Sequence, residues 1–187
     1  MACLIFVSHP AVVIDPHCPV PDWRLSDAGR TVAATLAGRD IVQRATHIWS
    51  SAERKAQDTS AILAGTLGLP VSTRADLGEN DRSATGFLPP TAFEAAADAF
   101  FAAPDQSFDG WETARDAQTR IVAATRASVA QHGAGDLIIV SHGGVGTLLW
   151  CHLAGVPIDR RHDQPGQGCY WIADLPALAL RGPWQPI

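Results

Sequence analysis

A three-layer α/β/α sandwich with a mainly parallel central sheet and a small helical cap insertion is the fold this 187-residue chain predicts. Three observations point there. Two apolar runs, Ala2 to Val7 and Leu137 to Ser141, are continuous rather than alternating, as in strands covered on both faces. Stretches with helical spacing lie between the strand-like runs, which implies crossover connections. A polar, glycine- and proline-bearing segment, GENDRSATGFLPP at Gly78 to Pro90, is too long for an ordinary turn and opens an insertion over about 78–110.

Taken in order, the first strand ends at Ser8, His9 and Pro10. Ser26 is placed to cap a helix through Thr31 and Leu36, which Gly38 ends. His47 to Ser50 reads as a second strand. Ser51 then caps a helix from Ala52 to about Gly65, before Gly68 and Pro70 break the pattern. An alanine- and phenylalanine-rich helix runs from about Thr91 to Ala102 and stops at Pro104. Another spans about Thr113 to His132 and gives way, through Gly133 and Gly135, to the strand DLIIVS. Gly144 to Ala154 is the helix leaving that strand, and Cys169 to Ala173 is the last strand. With no repeat, low-complexity tract or linker in view, residues 1–187 are expected to form one unit.

Composition bounds the function classes. A formal net charge of -5 provides no basic field for a polyanion, so nucleic acid is not an expected partner and any phosphate recognition must be local. The opening MACLIFV is apolar but short and lacks a basic flank, and no other run reaches spanning length, so a cytoplasmic protein without membrane partners is expected. Cys3, Cys18, Cys151 and Cys169 lack CxxC spacing and read as reduced, mostly buried thiols.

In open parallel sheets ligands bind beyond the carboxyl ends of the strands. His9 follows CLIFVS and His142 follows LIIVS, so both imidazoles are expected at that edge. Gly143 and Gly144 then leave backbone amides open at a helix start, an arrangement suited to an anion. In WSSAERKAQDTSAIL, Arg54 and Lys55 stand in the first turn of a helix, where cations oppose the macrodipole. A bound anion would explain both, while pairing of Arg54 with Glu53 or Asp58 would explain one. Glu79, Asp81 and Arg82 fall in the long polar loop, and a carboxyl beside an anion suits a general acid.

These landmarks, taken in order, resemble the histidine phosphatase superfamily, also called phosphoglycerate-mutase-like: FVSHP, LSDAGR, WSSAERKAQDTSAIL, LGEND, GWETARDAQTR and LIIVSHGG. The resemblance implies a phosphomonoester hydrolase that passes the phosphoryl group through His9. It makes His142 the second pocket histidine and Glu79 the acid that protonates the leaving alkoxide. Phosphate would be held by Ser8, Lys55, Arg82 and Gly143. No metal or organic cofactor is implied, and the partner is a small phosphoester substrate; oligomeric state is not legible.

Departures from the family pattern are specific. Ser8 and Pro10 stand where the family usually carries arginine and glycine around its nucleophile, and its second arginine aligns with Lys55. Lysine keeps the charge but loses the planar fork. Each missing charge-assisted hydrogen bond costs roughly 1.5–3 kcal/mol, so the pair weakens phosphate binding by about two to four decades unless Arg82 compensates. A catalytically weak or inactive phosphate-binding relative is therefore the alternative reading. A metal site from His9, His142 and His17 or His152 is a third, without the carboxylate or cysteine spacing such sites usually show.

Overall fold

The computed structural model describes residues 2–187. Its sheet has the strand order β3-β2-β4-β1-β5-β6, with a seventh strand pairing β5. The strands are β1 (Cys3–Ser8), β2 (Ala45–Ser51), β3 (Val71–Arg74), β4 (Asp136–Ser141), β5 (Cys169–Asp174), β6 (Ala179–Leu180) and β7 (Gln185–Pro186). Four of them, β3, β2, β4 and β1, run parallel, and β5 closes antiparallel on β1. The helices are α1 (Asp27–Ala37), α2 (Arg54–Leu67), α3 (Pro90–Ala102), α4 (Ala114–Gln131) and α5 (Gly143–Ala154).

Side-chain alternation along two fully buried strands generates the layers. Leu4 and Phe6 of β1, with Leu137 and Ile139 of β4, face one core that contains Phe100, Ile121 and Leu148 from α3, α4 and α5. Ile5 and Val7, with Ile138 and Val140, face the other, beneath Leu36 of α1 and Leu63 of α2. Each such side chain contributes about 1.5–3 kcal/mol by leaving water. This is why both runs are apolar without interruption.

Packing behind the site is dominated by aromatic rings. Phe6 stacks on Trp171 with centroids 4.8 Å apart, and Trp184 meets Phe6 edge-on at 6.1 Å. Helix α5 descends onto this cluster at Gly146, where a Cβ would lie 2.6 Å from Phe6 and 2.7 Å from Trp184. The small residue lets the helix sit close enough to aim its first turn at the end of β1.

Several boundaries differ from the sequence expectation. Helix α2 begins at Arg54 with Glu53 as its N-cap and no side-chain cap bond, so Ser51 is not the cap. The Ser51 hydroxyl instead accepts from the Glu53 amide at 3.2 Å. Thr113 does cap α4 through the Asp116 amide. Strands β3, β6 and β7 are additional: β3 is half exposed, and β6 and β7 are two residues each, too short for a periodicity to register. No described helix is long and apolar enough to cross a membrane.

Candidate active site

Adjacent parallel strands deliver both histidines to one edge. Ser8 of β1 is in register with Ser141 of β4, and the His9 amide donates to the Ser141 carbonyl at 3.1 Å. The next residue on each strand, His9 and His142, therefore leaves the sheet side by side, with ring centroids 5.2 Å apart at 69°.

The two imidazoles are held differently. His9 Nδ1 lies 2.9 Å from the Pro10 carbonyl, which can only accept, so the proton sits on Nδ1 and Nε2 keeps its lone pair. Desolvation, then the Lys55 charge, pulls the His9 pKa down to about 4 against the opposing pull of the Pro10 bond and Glu53. A neutral ring with a bare Nε2 is the nucleophilic form. His142 is fully buried, and its Nε2 meets Ser51 Oγ at 2.8 Å and Glu53 Oε1 at 3.3 Å. Burial dominates over the attraction of Glu53 and Glu79 and lowers its pKa to about 3, while Nδ1 is buried without a partner.

Glu53 is the residue the sequence reading did not place. Because it directly precedes α2, its carboxylate folds back rather than out. Oε2 pairs with Lys55 Nζ, and Oε1 accepts the Glu79 amide at 2.8 Å beside His142. Burial opposes ionisation, but His142, Lys55 and the hydrogen bonds outweigh it and hold the carboxyl at about 2. A carboxylate thus fills the corner between Lys55 and His142. Lys55 is 3% exposed and also donates to the Val20 carbonyl at 2.9 Å. Arg54 turns outward and pairs with Asp58 at 2.8 Å.

The acidic loop is fixed from below by Arg120. Its guanidinium forks onto Glu112 at 2.9 and 2.7 Å and donates to the carbonyls of Asp76, Gly78 and Glu79 at 3.0, 2.9 and 3.1 Å. Glu79 then reaches the start of α5, where Oε2 accepts from Gly144 at 3.1 Å and Oε1 from Val145 at 2.9 Å. Of the two glycines expected to open amides to an anion, Gly144 therefore has its amide taken by the chain's own carboxylate, as does the following Val145. Gly143 still lines the cavity, with the Gln164 carboxamide lying over it: a Cβ there would sit 2.1 Å from Gln164 Nε2.

Ser8 is not offered to the cavity, contrary to expectation. Its hydroxyl is buried toward β5, accepting from the Cys169 amide at 3.0 Å and donating to Gln164 Oε1. The serine therefore orients Gln164. His9, Lys55, Glu79, Arg82 and Gly143 do line one cavity of about 510 Å³, whereas His142, expected in the pocket, is 0% exposed and lies behind this lining with its Nε2 against Ser51 and Glu53. Of the cations lining it, Lys55 pairs with Glu53 and Arg160 with Glu94 and Asp98. Arg82 has no carboxylate partner among the described residues and rests on the rings of Phe93 and Trp111, 5.0 and 5.6 Å from their centroids. The third histidines weighed for a metal site do not join His9 and His142: His152 faces Arg126 at 3.4 Å, and His17 lies on the exposed loop after Asp15.

Comparison with known proteins agrees with this architecture. The model of the histidine phosphatase superfamily (branch 1) matches residues 14–172, and the chain belongs to that family. Among solved structures, the VO3 complex of mycobacterial glucosyl-3-phosphoglycerate phosphatase superposes with a TM-score of 0.84 at 21% identity, covering 100% of each chain. YhfR of Bacillus stearothermophilus superposes at 0.77 and 21%, covering 97% of this chain and 95% of its own. Entamoeba histolytica phosphoserine phosphatase with 3-phosphoglyceric acid superposes at 0.74 and 17%, covering 99% and 98%. No curated protein matches the chain by sequence. The family match begins beyond His9, at residue 14.

Proposed function

We propose that the chain is a cofactor-independent phosphomonoester hydrolase that acts on a small phosphorylated molecule through a phosphohistidine at His9. The observation that carries this reading is the tautomer: the Pro10 carbonyl fixes the proton on Nδ1 and leaves Nε2 as the lone pair at the end of β1. Nε2 attacks phosphorus in line, the N–P bond forms as the P–O ester bond breaks, and the leaving oxygen takes a proton from the Glu79 carboxyl. Water then attacks the phosphohistidine and gives a proton back to Glu79. The N–P bond breaks, inorganic phosphate leaves, and His9 is restored. Arg82, Lys55 and the Gly143 amide hold the phosphoryl oxygens as charge builds on them.

The expected result is an acid-labile phosphoryl group on His9 after incubation with an aryl phosphate and an alkaline quench, absent in His9→Ala. No adduct and no turnover across a panel of phosphate esters, with wild type behaving like His9→Ala, would sink the hydrolase reading. One observation favours the alternative, a phosphate-binding relative with weak or no turnover: Glu53 occupies the Lys55 and His142 corner that a phosphoryl group would use.

A further inference from the structure

Beyond the phosphoryl end, the cavity has a second half whose chemistry is distinct. Its wall is built from the loop after β1 and from the insertion that bears α3: Val12, Ile14, Trp23, Phe87, Phe93 and Trp111. Trp23 and Phe87 pack at 5.8 Å, joining the two segments, and Phe93 and Trp111 lie 6.5 Å apart beneath Arg82. Both indoles present carbon to this space. The Trp23 N–H is spent on the carbonyls of Asp15 and Cys18, at 3.0 and 3.1 Å, and the Trp111 N–H on Thr85 Oγ1 at 2.8 Å. At the mouth, Ile14 is 57% exposed, one of three large exposed hydrophobic residues among those described.

One polar side chain on this lining has a buried atom without a partner. Asn80 is 7% exposed, its Nδ2 is buried with no hydrogen bond, and the residue lines both this cavity and the neighbouring one of about 530 Å³. Of the polar side chains that also line this cavity, Arg160 pairs with Glu94, Asp163 accepts from Thr147, Gln164 accepts from Ser8, and Gln167 is exposed to solvent. A polyol placed against such a wall gives up its water hydrogen bonds without replacement, whereas a ring gives up only unfavourable hydration.

From this lining we infer that the leaving group is ring-bearing and predominantly apolar, so that the substrates are aryl or comparably hydrophobic phosphomonoesters rather than sugar or glycerate phosphates. This rests on the hydrolase reading above and deepens it. Arg82 marks the boundary: its guanidinium covers the aromatic floor and leaves its unpaired charge for the phosphoryl oxygens.

The test compares 1-naphthyl phosphate with glucose 6-phosphate and 3-phosphoglycerate, in wild type and in Phe87→Ala, a half-buried loop position whose folding is checked by circular dichroism. Binding of the same three compounds to His9→Asn is followed by calorimetry. The expected result is at least a tenfold preference in kcat/KM for the naphthyl ester, the scale on which hydrophobic pockets discriminate, and a matching loss of that preference in Phe87→Ala. If wild type hydrolyses the sugar or glycerate ester as well as the naphthyl ester, or if Phe87→Ala leaves the ratio unchanged, the substrate class is overturned while the hydrolase stands. If nothing is hydrolysed yet His9→Asn binds the naphthyl ester selectively, the hydrolase reading falls and the apolar subsite stands; absence of both overturns both.

Discussion

At the residue scale the informative side chain is Glu53. Its carboxylate neutralises Lys55 and stands 3.3 Å from His142 Nε2, so a phosphoryl group entering that corner meets a negative charge. Two like charges about 5 Å apart at an effective dielectric of about 20 repel by roughly 3 kcal/mol, part of which rearrangement relieves. Glu53→Gln keeps an oxygen for the Glu79 amide while removing the charge, and it is expected to tighten inorganic phosphate binding about tenfold by calorimetry. The same change lowers the stability of the unliganded protein, because the buried Lys55 ammonium loses its partner. A folded Glu53→Gln protein that binds phosphate no better than wild type would show that the carboxylate does not compete for the site.

At the element scale, legibility follows chain locality. Strands β1 and β4 were readable because a buried apolar run that ends in a histidine is a contiguous pattern, and α5 because a glycine pair follows His142 directly. His9 and His142 sit within such patterns, and Glu79 within the contiguous polar loop that follows Gly78. Glu53 was hidden because its partners are elsewhere: the Glu79 amide is 26 residues away, and next to Arg54 the simplest partner was the neighbouring cation. Gln164 was hidden more deeply, since its contact with Ser8 spans 156 residues through the return of β5. The approach of α5 to the aromatic cluster also escapes sequence reading and is tested at Gly146. Alanine gains about 1 kcal/mol of helix propensity over glycine, but its methyl would need Phe6 and Trp184 to move from contacts of 2.6 and 2.7 Å, an overpacking worth about 1–3 kcal/mol. Phe6 is stacked on Trp171 and meets Trp184 edge-on, so neither ring gives way cheaply, and Gly146→Ala is expected to lower the urea midpoint. An unchanged or raised midpoint would show that the close approach is not needed.

At the scale of the whole molecule, the site makes folding sensitive to mild acid. The His9 and His142 pKa values are lowered to about 4 and about 3, so near pH 5 the unfolded chain binds protons that the folded one refuses. Their stabilisation is present above the ordinary value of 6.5 and is lost as pH falls toward the folded values. Glu53, held at about 2, acts in the same direction in a lower window, from its ordinary 4.5 downward. Cys3, pushed up to about 11 mainly by burial and then by Asp136, works at the other end, its contribution fading as pH rises from 9. Carboxylates alone would begin to erode stability near pH 4.5. Here the loss begins near 6.5, with a slope of up to about 1.4 kcal/mol per pH unit for each histidine that must stay neutral. Urea unfolding across pH 7.5 to 5 is expected to show this early slope in wild type and about half of it in His9→Asn, which keeps His142 but carries no titrating group at position 9. A wild-type curve flat down to pH 5 would mean that neither histidine is held neutral by the fold, and the nucleophilic state assigned to His9 would lose its physical basis.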